Sequence, residues 1–145
     1  MTKKPFRIQP QVTEENEHFW QGGAAGELRF LRCPDCAVYI HPPSPLCPEC
    51  LGKKSVPVAV SGKGVVHTFT VNHQPWVPGF DPPYVVAIVD IEEQEGLRLT
   101  TNLVGCEPED VWIGMPVKVC FEAREDGIHI PLFEPDSERG SAEKS

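Results

Sequence analysis

Apolar and polar residues alternate with a period of two along most of this chain, the pattern of strands that bury one face. Val56, Val58 and Val60 share a face, and after a Gly62-Lys63-Gly64 turn the alternation resumes at Val65, His67, Phe69 and Val71. From Tyr84 to Ile91 the inward set is Val85, Ala87, Val89 and Ile91. From Leu97 to Leu103 it is Leu97, Leu99, Thr101 and Leu103, and a hairpin at Glu95-Gly96 joins the two runs. Val117, Val119 and Phe121 define another strand, and Ile128, Ile130 and Leu132 the last. Asp126-Gly127 between them readily adopts the positive φ angles of a tight hairpin. Residues 105–114 predict a single helical turn between the third and fourth strands. Five strands with that link predict an OB-type barrel.

Ahead of the strands, Thr13 can cap a short helix over 14–20, with acidic residues at its start suiting the positive end of the helix dipole. Gly22 and Gly23 are expected to stop it. Phe19 and Trp20 at its far end form a large apolar anchor, which packs either on the chain's own body or on a partner subunit.

Between helix and strands lie two Cys-x-x-Cys turns, Cys33-Pro34-Asp35-Cys36 and Cys47-Pro48-Glu49-Cys50, separated by a ten-residue finger. Each turn aims two thiolates at one point with backbone amides directed at the sulfurs, so the pair predicts a tetrahedral metal site. Four sulfurs leave no position for water, so the metal's expected role is in folding. Zinc is the expected ion, with rubredoxin-like iron as the competing occupant and a redox or catalytic cysteine pair as the remaining alternative. His41, inside the finger, is expected to be a surface or packing residue.

The composition narrows the function classes. With 21 acidic and 13 basic residues, the formal charge of −8 disfavours nucleic acid, because phosphate contacts dominate that affinity. Lys53, Lys54 and Lys63 form one loose basic cluster. No run approaches the roughly 20 apolar residues of a membrane helix, and Met1-Thr2-Lys3-Lys4-Pro5 lacks a signal-peptide core, so the expected location is the cytoplasm. Six cysteines in that reducing setting are not expected to form disulfides. Cys106 and Cys120 lack metal-ligand spacing and read as small apolar filler. No nucleophile elbow, phosphate-binding loop or dinucleotide fingerprint occurs, and His67, His73 and His129 are scattered, so no residue is assigned as catalytic. The loop 73–84, stiffened by prolines, carries Trp76, Phe80 and Tyr84, which either present a binding surface or close one end of the barrel. The expected layout is a leader and helix (1–26), a zinc ribbon (27–55), the barrel (56–134) and a disordered tail (135–145).

Over residues 13 to 134 the chain resembles the DUF35 proteins. The residues that carry the likeness are Phe19-Trp20, the two knuckles, Pro42-Pro43, Gly62-Lys63-Gly64-Val65-Val66, Pro83-Tyr84 and Gly114-Met115-Pro116-Val117. The resemblance implies an amino-terminal helix and rubredoxin-like zinc ribbon ahead of an OB fold, in an accessory subunit of a thiolase-fold enzyme acting on acyl-CoA. Thiolases, hydroxymethylglutaryl-CoA synthase-like proteins and the lipid-transfer-protein-like aldolases of steroid side-chain degradation are the implied partners. A MaoC-like hydratase is another. Trp76, Phe80 and Tyr84 are candidates for partner or acyl-chain contact, and Lys53, Lys54 and Lys63 for CoA phosphates. The alternative is a single-stranded nucleic-acid-binding ribbon and OB module, in which aromatics stack bases.

Overall fold

The structure, a computed structural model, describes residues 9–75 and 81–137. β1 (Leu28–Arg32) is the centre of a three-stranded antiparallel sheet between β2 (Tyr39–Ile40) and β3 (Val56–Val60). β4 (Lys63–Asn72), β5 (Tyr84–Ile91), β6 (Arg98–Leu103), β7 (Pro116–Ala123) and β8 (His129–Pro135) close into a barrel in the order β4-β5-β6-β8-β7. β6 meets β8 in parallel at Leu103 and Phe133, and β4 closes on β7 through residues 63–65 against 116–118. The mainly β architecture with a five-stranded OB-type barrel is thus what the alternation predicts.

Val56–Val60 is a strand as expected, but its partner is β1, in register from Leu28 with Val60 to Arg32 with Val56. The chain then crosses to the barrel at Gly62, whose φ is +80° and whose carbonyl accepts from the Val119 amide at 2.7 Å. A Cβ there would lie 2.4 Å from Val119 Cγ1, so both backbone angle and space require glycine.

The inward sets of β5 and β6 are all buried. β4 differs from expectation. Gly64 and Val66 are buried while His67 is exposed, because a bulge between Val66 and Thr68 inserts an unpaired residue. The insertion flips the face, and Phe69 and Val71 beyond it pack on the core. In β8 the core residue is Phe133 beside Val119, whereas Leu132 lies outside the main core cluster. Residues 131–133 are all buried, so this strand is covered on both faces and alternation does not reveal its inner side.

The helical segment also departs from 14–20. Thr13 and Asn16 hydrogen-bond reciprocally, Thr13 N–H to Asn16 Oδ1 at 2.7 Å and Asn16 N–H to Thr13 Oγ1 at 3.3 Å. This turn starts α1 (Glu17–Gln21), which continues through Gly22–Ala25 as a 3₁₀ turn and ends at Gly26, φ +73°. Gly22 and Gly23 therefore do not stop the helix. They admit close packing, since a Cβ on Gly22 would meet the Glu27 carbonyl oxygen at 2.5 Å.

The main core joins helix, ribbon sheet and barrel: Phe19 of α1 and Leu28 and Phe30 of β1 pack in the same cluster as Val66, Val89, Val117 and Phe133 of the barrel. At the other end, β8 includes Pro135, and Asp136 is buried with its amide on the Pro116 carbonyl at 3.0 Å. Order thus reaches two residues into the expected tail, whose positions 138–145 lie outside the described residues. Among the described residues no helix is long and apolar enough to cross a membrane.

Candidate metal centre and contact surfaces

The two knuckles fold as copies of one another. Cys33 N–H donates to the Val38 carbonyl and Ala37 N–H to the Cys33 carbonyl, at 3.0 and 2.8 Å. In the second copy Cys47 N–H reaches Gly52 and Leu51 N–H reaches Cys47, at 2.9 and 2.8 Å. Ala37 and Leu51, each following a second cysteine, both have φ of 61°. A side chain in that region costs roughly 1–2 kcal/mol, so each knuckle needs a compensating interaction.

That interaction is at the sulfurs. The four Sγ atoms of Cys33, Cys36, Cys47 and Cys50 lie within 4.8 Å of one another, with Cys33 and Cys50 at 3.7 Å. Zinc–sulfur bonds of about 2.3 Å in a tetrahedron place sulfurs roughly 3.8 Å apart, so the cage has the size of a zinc shell. Amides of Cys50 and then Glu49 hold the Cys47 thiol down at about 7, the Glu49 N–H lying 3.4 Å from the sulfur. Cys36 is pushed up to about 12, first by its contact with Cys50. The backbone amide facing the Cys47 sulfur favours the thiolate form that a metal ion requires. Four soft donors with no open position suit a structural zinc. Cys33 and Cys47 are buried and Cys50 is exposed, so the centre lies at the surface with its inner side against Leu31 and Ile40.

The remaining candidates do not gather into one patch. Phe19, a candidate contact for a partner, is buried instead in the chain's own core, stacked over Phe30 at 6.2 Å. Trp20 is partly buried on the same cluster. Lys53 and Lys54 are exposed ahead of β3 and Lys63 beyond its far end, a separation of roughly 17 Å for a five-residue strand. Lys63 stands instead beside Lys118, its β7 register partner, which the linear sequence does not reveal. Tyr84 is partly buried at the start of β5, its hydroxyl bonded to the Asn72 amide. Trp76 and Phe80 lie outside the described residues. The described residues on either side of them follow the end of β4 and precede β5, whereas the ribbon leads into the start of β4.

Sequence reading passed over an apolar edge on the ribbon. Leu51 is 68% exposed and Val56 50%, and Leu46 joins Leu51 and Pro48 around a shallow depression of about 470 Å³. It also missed the partner that folding gives His67. The β4 bulge sets its Nδ1 3.1 Å from Asp90 of β5, which also pairs with Arg98 of β6 at 2.8 Å, an exposed hydrogen-bonded network. Cys120 and Cys106 are half-buried with thiols raised by burial, in keeping with filler.

Comparison with known proteins covers both halves. Residues 20–56 match the family description "ChsH2, rubredoxin-like zinc ribbon domain" and residues 57–122 "ChsH2, C-terminal OB-fold domain". A probable enoyl-CoA hydratase alpha subunit of Thermomonospora curvata is 36% identical over 91% of this chain, and the 3-oxo-4,17-pregnadiene-20-carboxyl-CoA hydratase alpha subunit of Mycobacterium tuberculosis 40% identical over 79%. This chain spans only 41% and 36% of the length of those two proteins. A DUF35 domain-containing scaffold protein of Methanocaldococcus jannaschii is 41% identical over 67% of this chain and 70% of its own. In the solved structure of an Ltp2-ChsH2(DUF35) aldolase, one chain superposes with a TM-score of 0.78 at 36% identity, over 88% of this chain and 98% of that one. The two matches lie in the order of the two halves, ribbon and then barrel, and with the likeness to the DUF35 scaffold protein they show that this chain belongs to the DUF35 family.

Proposed function

We propose that this protein is a non-catalytic accessory subunit that docks onto a thiolase-fold enzyme acting on acyl-CoA thioesters. The partner's reaction is carbon–carbon bond cleavage, retro-aldol or thiolytic, in the breakdown of lipids or steroid side chains. The observation that carries this reading is the superposition on nearly the whole of one chain of the Ltp2-ChsH2(DUF35) aldolase. The hydratase alpha subunits among its relatives support a hydratase, MaoC-like in kind, as a further companion. The chemistry of the site agrees: a metal closed by four sulfurs has no place for a substrate, so its contribution is to the fold. Zinc is the resident ion, and a red, visibly absorbing protein would reveal iron instead. The six free cysteines suit the cytoplasm.

Two surfaces compete for the partner. One is the aromatic loop with Trp76, Phe80 and Tyr84, the other the ribbon edge with Leu51 and Val56 beside Lys53 and Lys54. Lys63 with Lys118 is a separate place for CoA phosphates. We assign docking to the aromatic loop, because its sequence sets the aromatic residues among prolines, a composition that is expected to lose little entropy on binding. The test is coexpression with the thiolase-fold protein encoded nearest to it, followed by size exclusion and acyl-CoA turnover. The expected result is a stable complex whose turnover requires this chain. It should be lost with Trp76→Ala/Phe80→Ala and kept with Leu51→Asp. The reverse response moves docking to the ribbon edge, and absence of any complex overturns the accessory role.

A further inference from the structure

Three buried side-chain polar atoms among the described residues have no hydrogen-bond partner: His18 Nε2, His41 Nδ1 and Ser55 Oγ. Two of the three are imidazoles at one junction, where α1 lies on the ribbon. His18 is 7% exposed on α1. His41 follows β2, and its ring centre is 5.0 Å from that of Phe19 and 4.8 Å from that of Phe30. The helix is therefore held down through an aromatic stack that contains one histidine and is flanked by another. A neutral imidazole tolerates such a setting, whereas an imidazolium with a buried N–H and no acceptor does not.

The charged neighbours sharpen the effect. Glu17 of α1 favours a proton on His18, but burial first, and then Arg29 of β1, hold its pKa below the ordinary value. Arg29 is itself paired with Glu27 at 2.7 Å. Burial, and then His18, lower His41 to about 4. β8 also packs on α1 and carries His129, whose Nδ1 lies 3.1 Å from the Gly127 carbonyl, and Glu134. The 3₁₀ turn Gly22–Ala25 brings no titratable group.

We propose that His18 and His41 form a proton-operated latch, which holds α1 on the ribbon while both rings are neutral and releases it when either is protonated, uncovering Phe19 and Phe30. The closed state binds fewer protons than the open one. Closure is therefore fully supported above the ordinary histidine pKa of about 6.5 and is lost as pH falls from there towards 4. For His41 alone, a shift from about 6.5 to about 4 raises the opening constant on the order of 20-fold between pH 7 and pH 5. The latch does not depend on which partner the protein serves.

Hydrogen exchange of the intact, zinc-loaded chain tests it, after correction for the intrinsic pH dependence of exchange. The probes are the α1 amides, such as Phe19 N–H on the Asn16 carbonyl, against those of β5 and β6. Protection of residues 17–25 is expected to fall about 20-fold more than that of the barrel between pH 7 and 5. His41→Phe, which keeps the stack but cannot take a proton, should remove most of the difference. If that variant misfolds, His41→Gln serves in its place. Protection that follows the barrel at every pH in the wild type overturns the proposal. So does an equal fall in a His18→Gln/His41→Phe variant, which has neither ring, with or without loss of zinc, because the metal centre rather than the histidines would then be opening.

Discussion

A methyl group added at Gly23 would meet His129 Cβ at 2.4 Å and Phe121 Cδ1 at 2.7 Å, both anchored on barrel strands that cannot easily retreat. Added at Gly26, three residues on, it meets nothing within 4 Å, yet φ is +73°. The two positions separate crowding from backbone strain. Gly23→Ala is expected to destabilise by about 1–3 kcal/mol through overpacking. Gly26→Ala is expected to cost about 1 kcal/mol, and Gly26→Asn less, because asparagine tolerates the left-handed region. Urea unfolding of the three variants checks the order. If Gly26→Ala were the worst, backbone strain and not the close approach of the 3₁₀ turn to the barrel would limit this junction. The contrast also explains what was legible at this scale. The four cysteines could be read from the chain because tetrahedral coordination fixes their local spacing. Gly23 could not, since its neighbours lie about a hundred positions away and no local pattern announces them. The same holds for Lys118 beside Lys63.

The β5–β6 turn reaches back to the ribbon and joins the two sheets. Gln94 accepts from the Tyr39 N–H at 2.8 Å and donates to the Tyr39 carbonyl at 3.1 Å. One side-chain amide thus satisfies both backbone groups of the same edge residue of β2, much as another strand would. Nearby, Glu93 accepts from the Ser61 amide at 2.6 Å at the crossing between the sheets. Gln94→Leu keeps the volume and removes both bonds, at about 0.5–1.5 kcal/mol each. The expected outcome is roughly tenfold faster amide exchange at Tyr39 with the β5 and β6 amides little changed. An unchanged Tyr39 would mean that β1 alone fixes that edge. At this scale the sequence was legible where one face of a strand is wet, as in β5 and β6, and misleading where it is not. The bulge at His67 re-phases β4, so alternation placed Val65 and His67 inward wrongly and Phe69 and Val71 rightly, and β8 is covered on both sides, so alternation found buried Leu132 but missed Phe133. The turn at Thr13 was legible, but the helix begins three residues later than expected, at Glu17, and its end was not legible, because Gly22–Ala25 continues as a tighter helix against β1 and the barrel.

The metal's influence should reach well beyond the knuckles, because β1 belongs to two cores at once. Its Leu28 and Phe30 pack with α1 and the barrel, while Leu31 packs with Cys33, Ile40 and Cys47. The second group is only four buried residues, too few to hold two knuckles with left-handed Ala37 and Leu51 unaided. Fold class and metal site were legible because each rests on local periodicity or spacing, but this shared core is a contact between distant segments and appears only in three dimensions. It decides how the protein should melt. Were ribbon and barrel independent, chelation would melt the ribbon first and leave the barrel's midpoint where it was. With Phe19, Leu28 and Phe30 buried against barrel residues, losing the metal frees β1 and with it part of the barrel's own packing. Chelator-treated protein is therefore expected to unfold in one transition, its midpoint lowered on the order of 10 °C, and to recover when zinc is restored. Calorimetry with and without chelator distinguishes the cases: two separated transitions with an unmoved upper one would show that the continuous core does not couple the two sheets, and an unmoved single transition would show that the four sulfurs hold their geometry without a metal.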